Sequence, residues 1–302
     1  MVLQRFTWLF LILMPLFGMT SFANGSPESV KAHQKVLVSV HPLALLVKSA
    51  WPHLEVTSLV PANQSPHDFS LKPSDLSKVS DAHSVVWLGP QFEPYLIKLM
   101  GKKSSQVDLS NLPEHAFNHE NHENHENHES IKNNESHDLH ENHDPHVWLQ
   151  PQQIPSLLKV IQTELNLSDP KEFLSAFNQW TDITKQGFKA SKDIGFVSFH
   201  DAFHDWVKFF NLNQLDVVTV NPEKPIGTRH VVNVRNILAS GEARCLFVEP
   251  QFQTRLLKKL TKGLPVKLVK IDPMASQYSI NQGNFLTFYQ ELTKQFNICF
   301  AL

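Results

Sequence analysis

Ser168-Asp169-Pro170-Lys171-Glu172, followed by Phe173, Leu174, Phe177, Trp180, Ile183 and Phe188, is the stretch on which the fold turns. A proline at a first turn beside acidic residues is helix-start chemistry, and apolar residues mostly three or four apart line one helix face. The pattern predicts one amphipathic helix of about 22 residues. Before it, short apolar runs bounded by turn residues occur at 35–40, 56–60 and 84–88; after it they recur at 195–199, 217–220, 245–248 and 266–271. Each run is followed by a helical pattern, and strand alternating with helix predicts an α/β protein with parallel sheets covered on both faces. The expected architecture is two parallel-sheet lobes, over 24–166 and 193–302, joined by one long rigid helix within 167–192. So stiff a connector implies little domain closure.

The N-terminus runs Arg5, an almost wholly apolar stretch from Phe6 to Met19, and then Thr20-Ser21-Phe22-Ala23-Asn24. A basic start, an apolar middle and small residues at the end form a secretory signal, here 1–23. Its apolar part is shorter than the roughly 20 residues that cross a bilayer, so the expected product is a soluble periplasmic protein. No cysteine follows the cleavage point to carry a lipid. The two cysteines, Cys245 and Cys299, are expected to pair, because the periplasm is oxidising. A formal net charge of −2 with no basic stripe sets nucleic acid aside as a partner.

Nine of the 17 histidines fall between His115 and His146, in a stretch nearly devoid of apolar residues that includes three consecutive His-Glu-Asn triplets from His119 to Asn127. Imidazoles interleaved with carboxylates make a metal collector, or merely a solvated polar loop. The candidates for auxiliary metal binding are His115, His119, His122, His125, His128, His137, His140 and His143. In α/β sheet proteins ligands tend to sit beyond the carboxyl ends of strands, and several residues of the folded parts fall there. His67 lies just past one strand in a loop stiffened by Pro61 and Pro66. His146 leads from the polar stretch back into apolar sequence, with Asp144 near enough to orient an imidazole. His200 ends a strand, as does Asp272. Taken singly, each is as well read as a surface histidine or a capping carboxylate; together they support one another as metal ligands. His33, His53 and His83 have no such placement, and capping explains His41 as well as ligation does. His200 and His204, four apart, approach the zinc-protease pattern, but Asp201 replaces its glutamate and the strand-like residues before His200 keep the pair off one helix face.

The segments Ser65-Pro66-His67-Asp68-Phe69, Asp144-Pro145-His146-Val147-Trp148-Leu149, Ser198-Phe199-His200-Asp201 and Ile271-Asp272-Pro273 together resemble the metal-binding solute receptors of ABC transporters, most of all their zinc-binding members. The resemblance spans essentially the whole mature chain. It includes Asn221-Pro222-Glu223, Glu249-Pro250-Gln251-Phe252, the second cysteine near the end and the His-rich insertion. It implies a C-clamp of two lobes with zinc in the cleft on His67, His146 and His200. Pro66 stands where some zinc members have glutamate, and Met274-Ala275 follows Asp272-Pro273 where the family usually has Leu-Gly. The fourth position is therefore open to Asp272, a water or a histidine of the insertion. Neutral imidazoles with at most one carboxylate independently suit tetrahedral zinc, whereas manganese and magnesium prefer oxygen-rich octahedral shells.

The reading is a monomeric extracytoplasmic receptor, not an enzyme, that carries Zn2+ as cargo to an ABC permease in the inner membrane. A periplasmic zinc sink or metallochaperone would use the same residues. A zinc hydrolase would exploit three histidines and an activated water. Because imidazole ligates only when neutral, affinity is expected to fall as pH drops through about 6.5.

Overall fold

The computed structural model describes residues 34–112, 145–222, 224–252 and 255–301. The signal segment, the insertion histidines from His115 to His143, Asp144 and Glu223 lie outside them. Lys35–Val40 (β1) is a run of Val and Leu with one serine, buried at every position after the first, as a central parallel strand must be. It pairs in parallel with Glu55–Val60 (β2) and Ser84–Trp87 (β3), and β3 pairs with Gln106–Asp108 (β4), giving the order β2-β1-β3-β4. Helices His41–Ala50 (α1), Pro73–Asp81 (α2) and Ile97–Met100 (α3) make the crossovers. Pro42 in the first turn of α1 lets the helix start directly off β1.

Two helices, Ile154–Glu164 (α4) and Lys171–Phe188 (α5), lead to a second sheet built on the same plan. Its strands are Gly195–His200 (β5), Asn213–Thr219 (β6), Cys245–Val248 (β7) and Lys267–Lys270 (β8), all parallel, in the order β6-β5-β7-β8. His204–Phe210 (α6), Thr228–Ser240 (α7), Arg255–Thr261 (α8) and Phe285–Phe300 (α9) accompany it. The connector α5 has 18 residues and runs into a 3-10 turn at Lys189–Ser191, close to the expected length. Among the described residues no helix is long and apolar enough to cross a membrane.

The two sheets are less separate than a helix-linked pair of lobes implies. One hydrophobic core runs from Val36 and Leu43 through Trp148, Phe177 and Trp180 to Phe196, Phe247 and Phe296. α9 reaches back to the first lobe: Tyr289 Oη donates to the Trp148 carbonyl at 2.6 Å and Phe285 N donates to Ser49 Oγ at 3.0 Å. The indole of Trp148 donates to the Pro273 carbonyl at 2.8 Å, and that of Trp51 to Ser168 at 2.8 Å. Each large side chain buried here contributes about 1.5–3 kcal/mol. A continuous apolar core between lobes opposes relative motion more strongly than the connector alone. Within the second lobe Cys245, at the start of β7, is joined to Cys299, near the end of α9, with Cα atoms 5.7 Å apart.

Candidate metal centre

Three separate pieces of chain bring imidazoles to one point. His67 sits in a single 3-10 turn, Pro66–Asp68, fixed by the proline and by its own N–H donating to Ser65 Oγ at 3.3 Å. His146 immediately precedes the 3-10 turn Val147–Leu149, whose three residues are all buried, so the core holds its backbone in place. His200 is the last residue of β5 and pairs with Thr219 of β6. The ring centroids are 5.3 Å apart for His67 and His146, 5.2 Å for His67 and His200, and 4.9 Å for His146 and His200. One nitrogen from each ring lies within 4.8 Å of the others, and these are the only three residues forming such a group among the described residues. The cavity they help to line is small, about 10 Å³.

Burial decides the charge of the group. Removal from water pushes His67 down to about 2, with the neighbouring His146 and His200 rings adding to the effect. His146 is lowered well below its ordinary value for the same first reason, reinforced by His200 and opposed by Asp201. Both imidazoles are thus neutral at pH 7 with a lone pair to offer. His67 Nε2 is buried with no hydrogen-bond partner among the described residues.

Glu249, immediately after β7 and only 6% exposed, places Oε1 3.1 Å from His200 Nδ1. A carboxylate oxygen in this contact accepts from Nδ1–H, which leaves the lone pair on Nε2. Sequence reasoning noted Glu249 only as part of a motif. The available signal was its position: β5 and β7 are neighbours, and residues ending neighbouring parallel strands face the same crevice.

Asp272 lies outside the group. Its Oδ1 accepts from Met274 N at 3.0 Å and from Gln251 Nε2 at 2.9 Å, while Oδ2 accepts from both the N–H and the hydroxyl of Ser276 at 2.6 Å. The carboxylate builds the turn after β8. His41 is turned away, with Nε2 2.9 Å from the Tyr278 carbonyl. His204 begins α6 while His200 ends β5, so they do not share a helix face, and His204 Nδ1 lies 3.9 Å from Asp201 Oδ2. His83 Nδ1 accepts from Lys35 N at 3.1 Å, an ordinary structural bond.

A family model described as zinc-uptake complex component A, periplasmic, matches residues 36–299. The high-affinity zinc uptake system protein ZnuA of Haemophilus ducreyi is 31% identical over 314 residues, covering 95% of this chain and 97% of its own. The protein of the same name from Haemophilus influenzae is 30% identical over 316 residues, with 89% and 94% covered. A crystal structure of ZnuA aligns with a TM-score of 0.65 at 20% identity, over 87% of this chain and 99% of that one. A structure of TroA, described in terms of metal-binding specificity, gives 0.69 at 19% identity, over 89% and 100%. At such identities these two structures speak for the fold. With nearly all of the described fold inside the family match, the chain belongs to the periplasmic zinc-uptake component A family.

Proposed function

We propose that this protein is a periplasmic receptor that captures Zn2+ on His67, His146 and His200 and delivers it, as a monomer, to an ABC permease of the inner membrane. The carrying observation is the convergence of the three histidines, drawn from both lobes, on one small cavity. Neutral nitrogen donors match zinc in hardness and geometry, and three of them leave one tetrahedral position for a further donor. Glu249 holds the His200 ring and tautomer and offsets part of the positive charge of the ion. The names of the relatives, which are zinc uptake proteins, support the same cargo. The hydrolase reading is disfavoured because the matching family and the relatives are described as zinc-uptake components.

The leader ending near residue 23 directs export, and the insertion histidines from His115 to His143 act as weaker auxiliary sites that raise the local zinc concentration. The test is a zinc titration against a competing chelator on protein lacking residues 115–142. One tight site should remain, and it should be lost on changing His67, His146 or His200 to Ala. Parental affinity in all three variants would place the site elsewhere.

A further inference from the structure

Glu249, Pro250, Gln251 and Phe252 form a turn closed by Phe252 N donating to the Glu249 carbonyl at 3.2 Å. Proline at its second position presets the backbone. The turn aims two polar side chains at different partners. Glu249 accepts a hydrogen bond from His200 Nδ1. Gln251 reaches Asp272 Oδ1 at 2.9 Å, and an ionised carboxylate only accepts, so the atom in contact is the amide nitrogen. The other end of the amide is then an oxygen. That oxygen is buried and has no hydrogen-bond partner among the described residues. Gln251 lines the same small cavity as His67, His146 and His200, alongside Pro66, Phe252, Pro273 and Met274, which contribute no polar side-chain group. A buried carbonyl oxygen left unpaired is costly in any fold, and this one belongs to a residue that lines the cavity where the three histidines converge.

We infer that the side-chain oxygen of Gln251 completes the metal site by accepting a hydrogen bond from a water on the fourth coordination position, with Asp272 serving the site at one remove by holding the Gln251 amide. The inference rests on the three-histidine reading above. It gives the lone carboxylate of Asp272 a role without ligation. A metal-bound water is a strong donor and needs acceptors; Gln251 supplies one fixed by its bond to Asp272.

The experiment compares Gln251→Met, which has no acceptor, with Gln251→Glu, which keeps an acceptor oxygen, in chelator-competition titrations of the full chain with zinc. His67→Ala serves as the control for the site itself. Gln251→Met should weaken binding roughly tenfold or more, the usual effect of removing a partner of a metal ligand. Gln251→Glu, which keeps an acceptor but loses the donor to Asp272, should bind zinc more tightly than Gln251→Met, and its metal-free form should melt below the parent because two carboxylates then face each other, while metal-free Gln251→Met should melt close to the parent. Parental affinity in Gln251→Met, or equal loss in the two variants, would overturn the role. Tight zinc binding by His67→Ala would instead overturn the three-histidine reading, so the two failures are distinguishable. Cobalt reports on the water directly: azide, which displaces a cobalt-bound water, should shift the visible bands of the Co2+-loaded parent, and unmoved bands would overturn the water.

Discussion

The two sheets have the same strand order, yet their crevices differ. In each, the first strand of the set lies beside the third, and the loops after those two strands diverge to open a gap where ligands tend to bind. In each, a buried glutamate follows the third strand. Glu93 reaches the crevice of the first sheet because Gly89 turns the chain at φ +103, where a Cβ would meet Asp108 Oδ1 at 2.6 Å. There Glu93 accepts from Leu88 N at 2.6 Å and from Tyr95 Oη at 3.3 Å. Glu249 in the second sheet accepts from an imidazole. The histidines at the first strands repeat the contrast: His41, just after β1, points to the Tyr278 carbonyl, whereas His200, at the end of β5, joins the cluster. One plan thus supplies two crevices: hydrogen bonds within the first lobe occupy the glutamate of one, and the glutamate of the other orients an imidazole of the three-histidine cluster.

The largest effect expected from breaking this comparison falls on the second lobe, which alone carries a disulfide. Replacing Cys245 and Cys299 by Ser releases a closed loop spanning 54 positions and should cost about 4 kcal/mol of stability. Zinc stoichiometry should stay at one tight ion, because neither cysteine touches the three histidines. Denaturant unfolding of parent and variant, with and without zinc, measures both quantities.

Next come the histidines themselves. Ala at His67, His146 or His200 should lower zinc affinity by roughly a hundredfold or more, above the tenfold scale of changes to ligand partners. Ala at His41 should leave affinity near the parental value. An equal loss from His41→Ala would mean that the first crevice also contributes to binding.

The paired glutamates separate stability from binding. Burial raises Glu93 to about 7, opposed by bonds from Leu88 N and Tyr95 Oη. Its folded value exceeds the unfolded one, so its contribution is fully present below about 4.5 and is lost as pH rises through 7. Glu93→Gln should therefore gain about 2–3 kcal/mol over the parent at pH 8 and little at pH 4.5, with zinc affinity unchanged. Glu249→Gln should do the reverse, weakening zinc roughly tenfold while the metal-free protein melts as before. Melting scans at both pH values and titrations of the two variants decide it.

Much of this arrangement is legible in the chain. The apolar runs announce β1, β5 and β7, and His67 and His200 stand out by position beyond strand ends, His146 by its place where the polar stretch returns to apolar sequence. β4 escapes notice because Gln106-Val107-Asp108 is too short to show a period. β6 begins at Asn213, earlier than its apolar residues suggest, because pairing with β5 and the Ser198–Gln214 hydrogen bond recruit polar positions. The shared core, with α9 docking on Trp148 and Ser49, depends on contacts more than a hundred residues apart. The commitment of Asp272 to Met274, Ser276 and Gln251 is likewise a property of the assembled turn.

The smallest effect expected is a near absence of change, and it revises the expectation from free imidazole. An exposed histidine cluster would lose zinc as pH falls through about 6.5, because protons compete for the same lone pairs. Here burial holds His67 down to about 2 and His146 well below its ordinary value, so at pH 6 the folded site is still deprotonated at both. The cost of acid appears instead in folding. The unfolded chain takes up protons at about 6.5 and the folded chain does not, so the contribution of these two residues is whole above 6.5 and declines as pH falls toward their folded values. Protonation of His67 and His146 should therefore not lower the zinc affinity of the folded protein lacking the insertion between pH 7.5 and 6. Over pH 6.5 to 5 the metal-free protein should lose stability that His67→Ala in part restores. Chelator titrations and melting scans across that range check both halves; a tenfold fall in affinity centred on pH 6.5 would mean that these rings are open to water before the metal arrives.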